Sequence, residues 1–247
     1  MTSTGQPRGA MPYLTVPAWR HFSGLVHGFF GAETNPAGGD RATTMAAVRT
    51  ALTLPTDAPL FHATQVHGDR VVVTADGAVG EADGIIVLEP GRFAAVFTAD
   101  CCPLLLIAPR VRAAAAVHAG WRGTAAAIAR KAVARLCEAA AVVPRDLHAA
   151  VGPAIGPCCY EVGDEVVVAI ERFGTAGHDA IQRPADHRPH VDLRAVNRAL
   201  LIEAGLPPEQ IHLVGGCTAC DTSFPSHSYR RDRSRAGRQI STVGWRF

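Results

Sequence analysis

Apolar positions along the chain form short β-like runs first and helical stripes later. The runs 70–75 (RVVVTA), 84–88 (GIIVL) and 93–98 (FAAVFT) are rich in β-branched and apolar residues and bounded by Gly, Asp or Pro, which predicts strands. Two further runs, 104–108 (LLLIA) and 111–117 (VRAAAAV), flank Pro109-Arg110 and read as a hairpin. Thr124–Ala140, built from good helix formers, predicts one helix with Gly123-Thr124 at its start. Val151–Pro157 reads as a Gly/Pro loop after a strand. Gly163–Phe173 carries Val166, Val167, Ile170 and Phe173 on one helical face. Asp192 is placed to cap a helix over 193–204 with Leu193, Val196 and Leu200 on its stripe. Ile211–Val214 and Gln239–Val243 read as closing strands, 35–41 as a loop, and 1–12 as a poorly ordered terminus.

Strands and helices mix here without regular βαβ alternation. That favours an α+β fold over a doubly wound sheet, with mixed sheets layered between helices in an α/β/β/α-like order. No linker or repeat divides the sequence, so residues 1–247 are expected to form a single domain.

Composition narrows the class. At 247 residues, 48% hydrophobic and 19% charged, the chain has the profile of a soluble globular protein. A net charge of +2 gives no argument for nucleic acid, and the cluster Arg230, Arg231, Arg233, Arg235 and Arg238 reads by itself as a solvated loop. No stretch approaches the roughly 20 apolar residues that cross a bilayer. The opening MTSTGQPRGAMPYL lacks the apolar core of a signal peptide. With seven cysteines, an odd number, reduced thiols in a cytoplasmic protein are expected. Oligomeric state is not encoded in any visible pattern, and a monomer is the working expectation.

Candidate chemistry sits where β-like runs meet loops, in Gln65-Val66-His67-Gly68, Ala99-Asp100-Cys101-Cys102-Pro103 and His118-Ala119-Gly120-Trp121-Arg122-Gly123-Thr124. His and Cys are favoured zinc ligands, but a His beside glycine is often simply hydrogen-bonded and a buried Cys simply packed. Spacing leaves those readings open. Neighbouring side chains of an extended segment point to opposite faces, so only one of Cys101 and Cys102 can face a shared site. Cys158-Cys159 is another adjacent pair and reads as packing. Cys217-x-x-Cys220 lacks a second Cys-x-x-Cys and reads as packing or rim contact. Gln65, Asp100 and Glu161 are candidates for supporting or proton-transfer roles.

The motifs QVHG (65–68), TADCCPLLL (98–106), HAGWRGT (118–124), GPAIGPCCYEVG (152–163), DLRAVNRALL (192–201) and SYRRDRSRAGRQIS (228–241) together resemble the YfiH-type family. Its members are called purine nucleoside phosphorylases and were formerly described as laccase-domain or polyphenol oxidase proteins. The likeness covers most of the chain from about residue 60 onward, and His27-Gly28-Phe29 is its trace in the N-terminal third. The resemblance implies that His67, Cys101 and His118 bind one zinc, with copper as the alternative ion. It also selects Cys101 over Cys102. The implied activity is phosphorolysis of adenosine, inosine, guanosine and methylthioadenosine, together with adenosine deamination. The partners would be a small nucleoside and phosphate.

From the residues themselves, Arg122, Arg230 and Arg231, with the N-terminus of the helix expected at 124, form a candidate phosphate site. The 11 histidines include no His-x-His or His-Cys-His, so a multicopper oxidase would lack ligands. The His-x-Glu and Pro-Cys-x-x-Cys signature of zinc deaminases is also absent. Two alternatives stay open. One is a metal-free cysteine hydrolase with Cys101 as nucleophile and His118 as base, which would suit editing of peptidoglycan precursors. The other is a non-enzymatic, zinc-stabilised interaction module.

Overall fold

A computed structural model describes residues 12–34, 39–74 and 79–247. Most of the loop expected at 35–41 and the start of the chain lie outside the described residues.

Two mixed sheets stack between helices. The first has the order β1 (Tyr13–Leu14), β2 (Leu25–Phe30), β13 (Gln239–Trp245), β6 (Phe93–Thr98), β3 (Leu60–Phe61). The second runs β12 (Ile211–Leu213), β9 (His148–Val151), β7 (Cys102–Ala108), β8 (Ala113–Ala119), β5 (Gly84–Val87), β4 (Val71–Val73). A small ribbon pairs β10 (Ile181–Gln182) with β11 (His190–Val191). The helices are α1 (Arg41–Ala51), α2 (Trp121–Ala125), α3 (Ile128–Ala140), α4 (Asp164–Glu171), α5 (Thr175–Asp179), α6 (Leu193–Glu203) and α7 (Tyr229–Asp232).

The order of layers follows from the strand period of two. In β7, Leu105 and Ile107 face the first sheet, whereas Leu104 and Leu106 face the helices. In β8, Ala114 and Ala116 pack inward and Ala113, Ala115 and Val117 pack on the helical side. Strands covered on both faces have no polar positions to alternate, which is why these runs are continuously apolar. The first sheet repeats the pattern: Val96, Val243 and Trp245 meet the second sheet, while Phe93, Phe97 and Ile240 meet α1 and the residues after it. The fold is therefore the α+β arrangement of mixed sheets and helices that the sequence predicts. Among the described residues, no helix is long and apolar enough to cross a membrane.

Several elements differ from expectation. The helix expected over Thr124–Ala140 is two helices, α2 and α3, separated at Ala126–Ala127, where Ala127 adopts φ 57°, ψ 41°. Contacts from distant parts of the chain fix α2 in place. Gly123 lies so close to the Gly68 carbonyl that a Cβ there would come within 2.7 Å, and the buried Thr124 hydroxyl accepts from Asn197 Nδ2 at 2.9 Å. Thr124 is thus inside a helix and not its cap. The N-terminal region supplies β1, β2 and α1, for which the apolar pattern gave no prediction. Arg41 opens α1 instead of ending a loop, with the Asp40 carboxylate accepting the Thr43 N–H at 2.8 Å. Asp192 does cap α6, accepting from the N–H groups of Arg194 and Ala195.

Candidate metal centre and cleft

His67 belongs to the loop before β4, Cys101 to the turn entering β7, and His118 to the penultimate position of β8. Antiparallel pairing of β7 with β8 sets Pro103 opposite His118 and Cys102 opposite Ala119, which brings Cys101 beside the imidazole. One ligand atom from each of His67, Cys101 and His118 lies within 4.8 Å of the others. The two imidazole rings meet edge to face with centroids 4.8 Å apart. Bond lengths near 2.0–2.3 Å to a small thiophilic cation are compatible with that spacing.

Asp83, which the sequence reading did not single out, organises the site. It is buried at the start of β5. One carboxylate oxygen sits 2.7 Å from His118 Nδ1. The carboxylate also accepts the N–H groups of Val66, His67 and Gly68 at 3.3, 3.0 and 2.7 Å, and the Asp83 carbonyl accepts the His118 N–H at 2.7 Å. These bonds hold His67 at φ 61°, a left-handed conformation uncommon outside glycine, and direct His118 Nε2 toward Cys101.

Burial by itself would raise the Asp83 and Cys101 pKa values. For Asp83, the bond to His118 and the N–H groups of the 66–68 loop outweigh burial and lower it. For Cys101, hydrogen bonds and charge from His118 and His67 outweigh burial and bring the thiol down to about 6. Burial likewise opposes charge on His118, but Asp83 and Cys101 raise its pKa to about 9. The trio is thus built to present a thiolate. Cys102 is its opposite: fully buried in the helical-side core, its thiol is pushed up to about 12 by burial. It packs, as expected, although Asp100 is not extended (φ 80°) and turns its carboxylate to Thr218 Oγ1 and the Arg230 N–H, each at 2.6 Å.

The trio lies at a cleft of about 580 Å³, a size suited to a small molecule. Trp121, Tyr160 and Tyr229 give it aromatic walls, and Arg122 and Arg230 give it positive charge. Arg122 lies over the Trp121 ring with 4.4 Å to its centroid. Arg230 lies over Tyr160 and donates to the Glu161 carbonyl at 2.8 Å. Arg41 and Arg238, absent from the sequence-based site, also line the cleft.

Other expected contributors are elsewhere. Arg231 does not line the cleft; its guanidinium serves the carbonyls of Thr218, Ala219 and Ser226 and the Asp232 carboxylate. The helix that was to offer its N-terminus at 124 begins at Trp121 and is five residues long, so an anion site there would rest on the arginines alone. Gln65 lines the cleft but spends its amide on both polar atoms of the Phe97 backbone, at 2.7 and 2.8 Å. Glu161 is exposed and does not line the cleft. His27 accepts the Val16 N–H in β2 and is also outside the cleft lining.

The two remaining cysteine pairs, read from sequence as packing or rim contact, come together in one cluster instead of packing separately. Cys158 and Cys220 are exposed, Cys159 and Cys217 are half-buried, and all four sulfurs lie within 4.8 Å of one another.

Comparison with known proteins places this geometry. A family model described as multi-copper polyphenol oxidoreductase laccase matches residues 31–246. Over 167 residues, 68% of the chain, the sequence is 35% identical to purine nucleoside phosphorylase YlmD of Bacillus subtilis. It is 39% identical over 170 residues, again 68% of the chain, to adenosine deaminase RL5 from an unknown prokaryotic organism. The aligned segments span 60% and 64% of those relatives' own lengths, less than two thirds. In three dimensions, crystal structures of YfiH from Bacillus licheniformis and YlmD from Geobacillus stearothermophilus superpose with TM-scores of 0.86 and 0.85 at 28% and 29% identity. The superpositions cover 96% and 98% of this chain and 98% of each of theirs. With the family model running through the Asp83-anchored trio and on to β13, the chain belongs to the multi-copper polyphenol oxidoreductase laccase family, whose fold it shares with YfiH and YlmD.

Proposed function

We propose that the chain is a zinc-dependent purine nucleoside phosphorylase acting on adenosine, inosine, guanosine or methylthioadenosine. The observation that carries this reading is the His67–Cys101–His118 cluster at a cleft walled by aromatic rings and arginines. Three protein ligands leave one coordination position open, the arrangement of catalytic zinc sites. Zinc held there supplies a Lewis acid or an activated water.

This chain's own residues account for the remaining needs. Trp121 and Tyr160 offer ring surface to a purine. Burial raises the Tyr160 pKa, so its phenol keeps its proton and remains a donor toward the base. Arg122 and Arg230 give phosphate a positive surface, and phosphate held beside C1′ stabilises the oxocarbenium character that develops as the glycosidic bond breaks. Similarity to proteins named purine nucleoside phosphorylase supports the reaction class. A laccase reaction lacks support, since the sequence has no His-x-His for additional coppers.

A second reading has its own support. Asp83, His118 and Cys101 are ordered as a carboxylate, imidazole and thiol relay, the arrangement of a cysteine hydrolase. His67 has no place in such a relay but has one in a metal site.

Product analysis with adenosine decides. Adenine and ribose 1-phosphate, formed only with phosphate and lost in His67→Ala, are the expected result. Inosine formed without phosphate would replace phosphorolysis with deamination, the activity named for the RL5 relative. Neither product, or full activity in folded His67→Ala, would overturn the proposal.

A further inference from the structure

We propose that Cys158, Cys159, Cys217 and Cys220 form a second, structural metal site that takes a thiophilic divalent cation, zinc by its chemistry, and staples two loops behind the cleft wall. The four sulfurs lie within 4.8 Å of one another, and Cys158 and Cys220 Sγ are 3.4 Å apart. Tetrahedral thiolates bound at about 2.3 Å stand roughly 3.8 Å from each other, so the cluster is already near the size that zinc requires. Four protein ligands close the coordination sphere. That distinguishes this cluster from the three-ligand centre at the cleft and marks a structural site.

The surrounding backbone is suited to hold thiolate. The Gly156 N–H donates to Cys217 Sγ at 3.2 Å. Together with the N–H groups of Ala219 and Cys220, it outweighs burial and brings the Cys217 thiol down to about 7. Burial and the neighbouring sulfurs push Cys158 and Cys159 upward instead. Cys158 and Cys159 therefore keep their protons at neutral pH, and a cation bound there would release them. Arg231, removed from the phosphate site by the geometry above and paired with Asp232, braces the second loop through its bonds to the carbonyls of Thr218 and Ala219.

The position gives the staple its purpose. The loop after β9 carries Cys158 and Cys159 and continues directly into Tyr160 of the cleft wall. The loop after β12 carries Cys217 and Cys220 and, between them, Thr218, whose hydroxyl holds Asp100 next to Cys101. Besides the sulfurs, these loops are joined by a bridge between Ala154 and Cys217, with a hydrogen bond from the Thr218 N–H to the Ala154 carbonyl, and by the Gly156–Cys217 contact.

The test is metal content by native mass spectrometry on the intact chain, purified under reducing conditions and loaded with zinc. About two equivalents are expected for the wild type, and about one each for Cys217→Ser/Cys220→Ser and for His67→Ala. In parallel, alkylation with peptide mapping of the wild type reads each thiol without relying on a variant that folds. All four cysteines should be protected until a chelator is added. A wild type that binds one equivalent and keeps it in Cys217→Ser/Cys220→Ser would overturn the proposal. So would alkylation of the four thiols in zinc-loaded protein, or a disulfide between Cys158 and Cys220 in place of bound metal. None of these readings depends on turnover, so they stand or fall separately from the phosphorylase assignment.

Discussion

The two sulfur-bearing clusters of this protein are built in opposite ways. The His67–Cys101–His118 trio is anchored from beneath by strands. Its thiol leads into β7, one imidazole is part of β8, and a buried carboxylate at the start of β5 grips the third ligand's loop by three N–H groups. The four-cysteine cluster lies wholly on loops, and two of its sulfurs are exposed. A centre held by a scaffold keeps its geometry when empty, as the proposed turnover at the trio requires. A closed four-ligand centre on loops leaves no coordination position for a substrate, and so suits a fastener. Both share one detail: each presses a glycine against sulfur. A Cβ on Gly120 would sit 3.2 Å from Cys101 Sγ and 3.1 Å from His67 Cδ2, and a Cβ on Gly156 would sit 3.3 Å from Cys158 Sγ.

The largest expected effect comes from removing the anchor. Asp83→Asn turns an amide N–H₂ toward groups that now donate to a carboxylate. Metal affinity at the trio and kcat/KM should each fall about 10- to 100-fold, while cation at the cysteine cluster is retained. Chelator competition on cobalt-loaded protein reads the two sites separately, and equal loss at both would break the contrast. Gly120→Ala comes next. The methyl group displaces Cys101 or His67 by a few tenths of an ångström, and kcat/KM should drop roughly tenfold with the melting temperature little changed. Gly156→Ala is the mirror experiment. It should weaken cation retention at the four cysteines severalfold and leave affinity at the trio unaltered. The last test is at the link between the clusters and reads stability instead of metal. Thr218→Val keeps the shape but leaves a buried Asp100 oxygen without its hydroxyl donor, at a cost of about 1–3 kcal/mol by chemical denaturation. A stability change near zero would mean that the two centres are mechanically independent.

What could be read from sequence divides along the same line. The apolar runs of β6, β7 and β8 announce themselves because strands covered on both faces have no polar positions. His67, Cys101 and His118 were visible because they sit in dense motifs at strand ends. Asp83 was not, since a single Asp between Ala82 and Gly84 looks like any turn acid, and its importance comes from register with His118. The cysteine cluster was hidden for a different reason. Cys158-Cys159 has no spacing typical of a zinc ligand pair, and its partners arrive on another loop, so only the parallel approach of β9 and β12 reveals it. The break at Ala126–Ala127 could not be read at all. Alanine is the best helix former, so the left-handed turn at Ala127 has no local signal, and the contacts that fix α2, Gly123 on the Gly68 carbonyl and Asn197 on Thr124, come from distant parts of the chain.

The placement of β13 governs how the molecule can be made. This strand lies between β2 and β6, pairing Thr242 with Gly28 on one side and with Ala95 on the other. The first sheet is therefore two fragments until residues 239–245 leave the ribosome. At typical elongation speeds, β2 waits on the order of ten to forty seconds for its neighbour. Phe29 and Phe30 through that interval, and Val96 and Phe97 through its later part, lack the strand that aligns them, although all four are buried in the finished fold. Closure of the first sheet is therefore a late event in chain order, because β1–β2 and β6–β3 are joined only through β13.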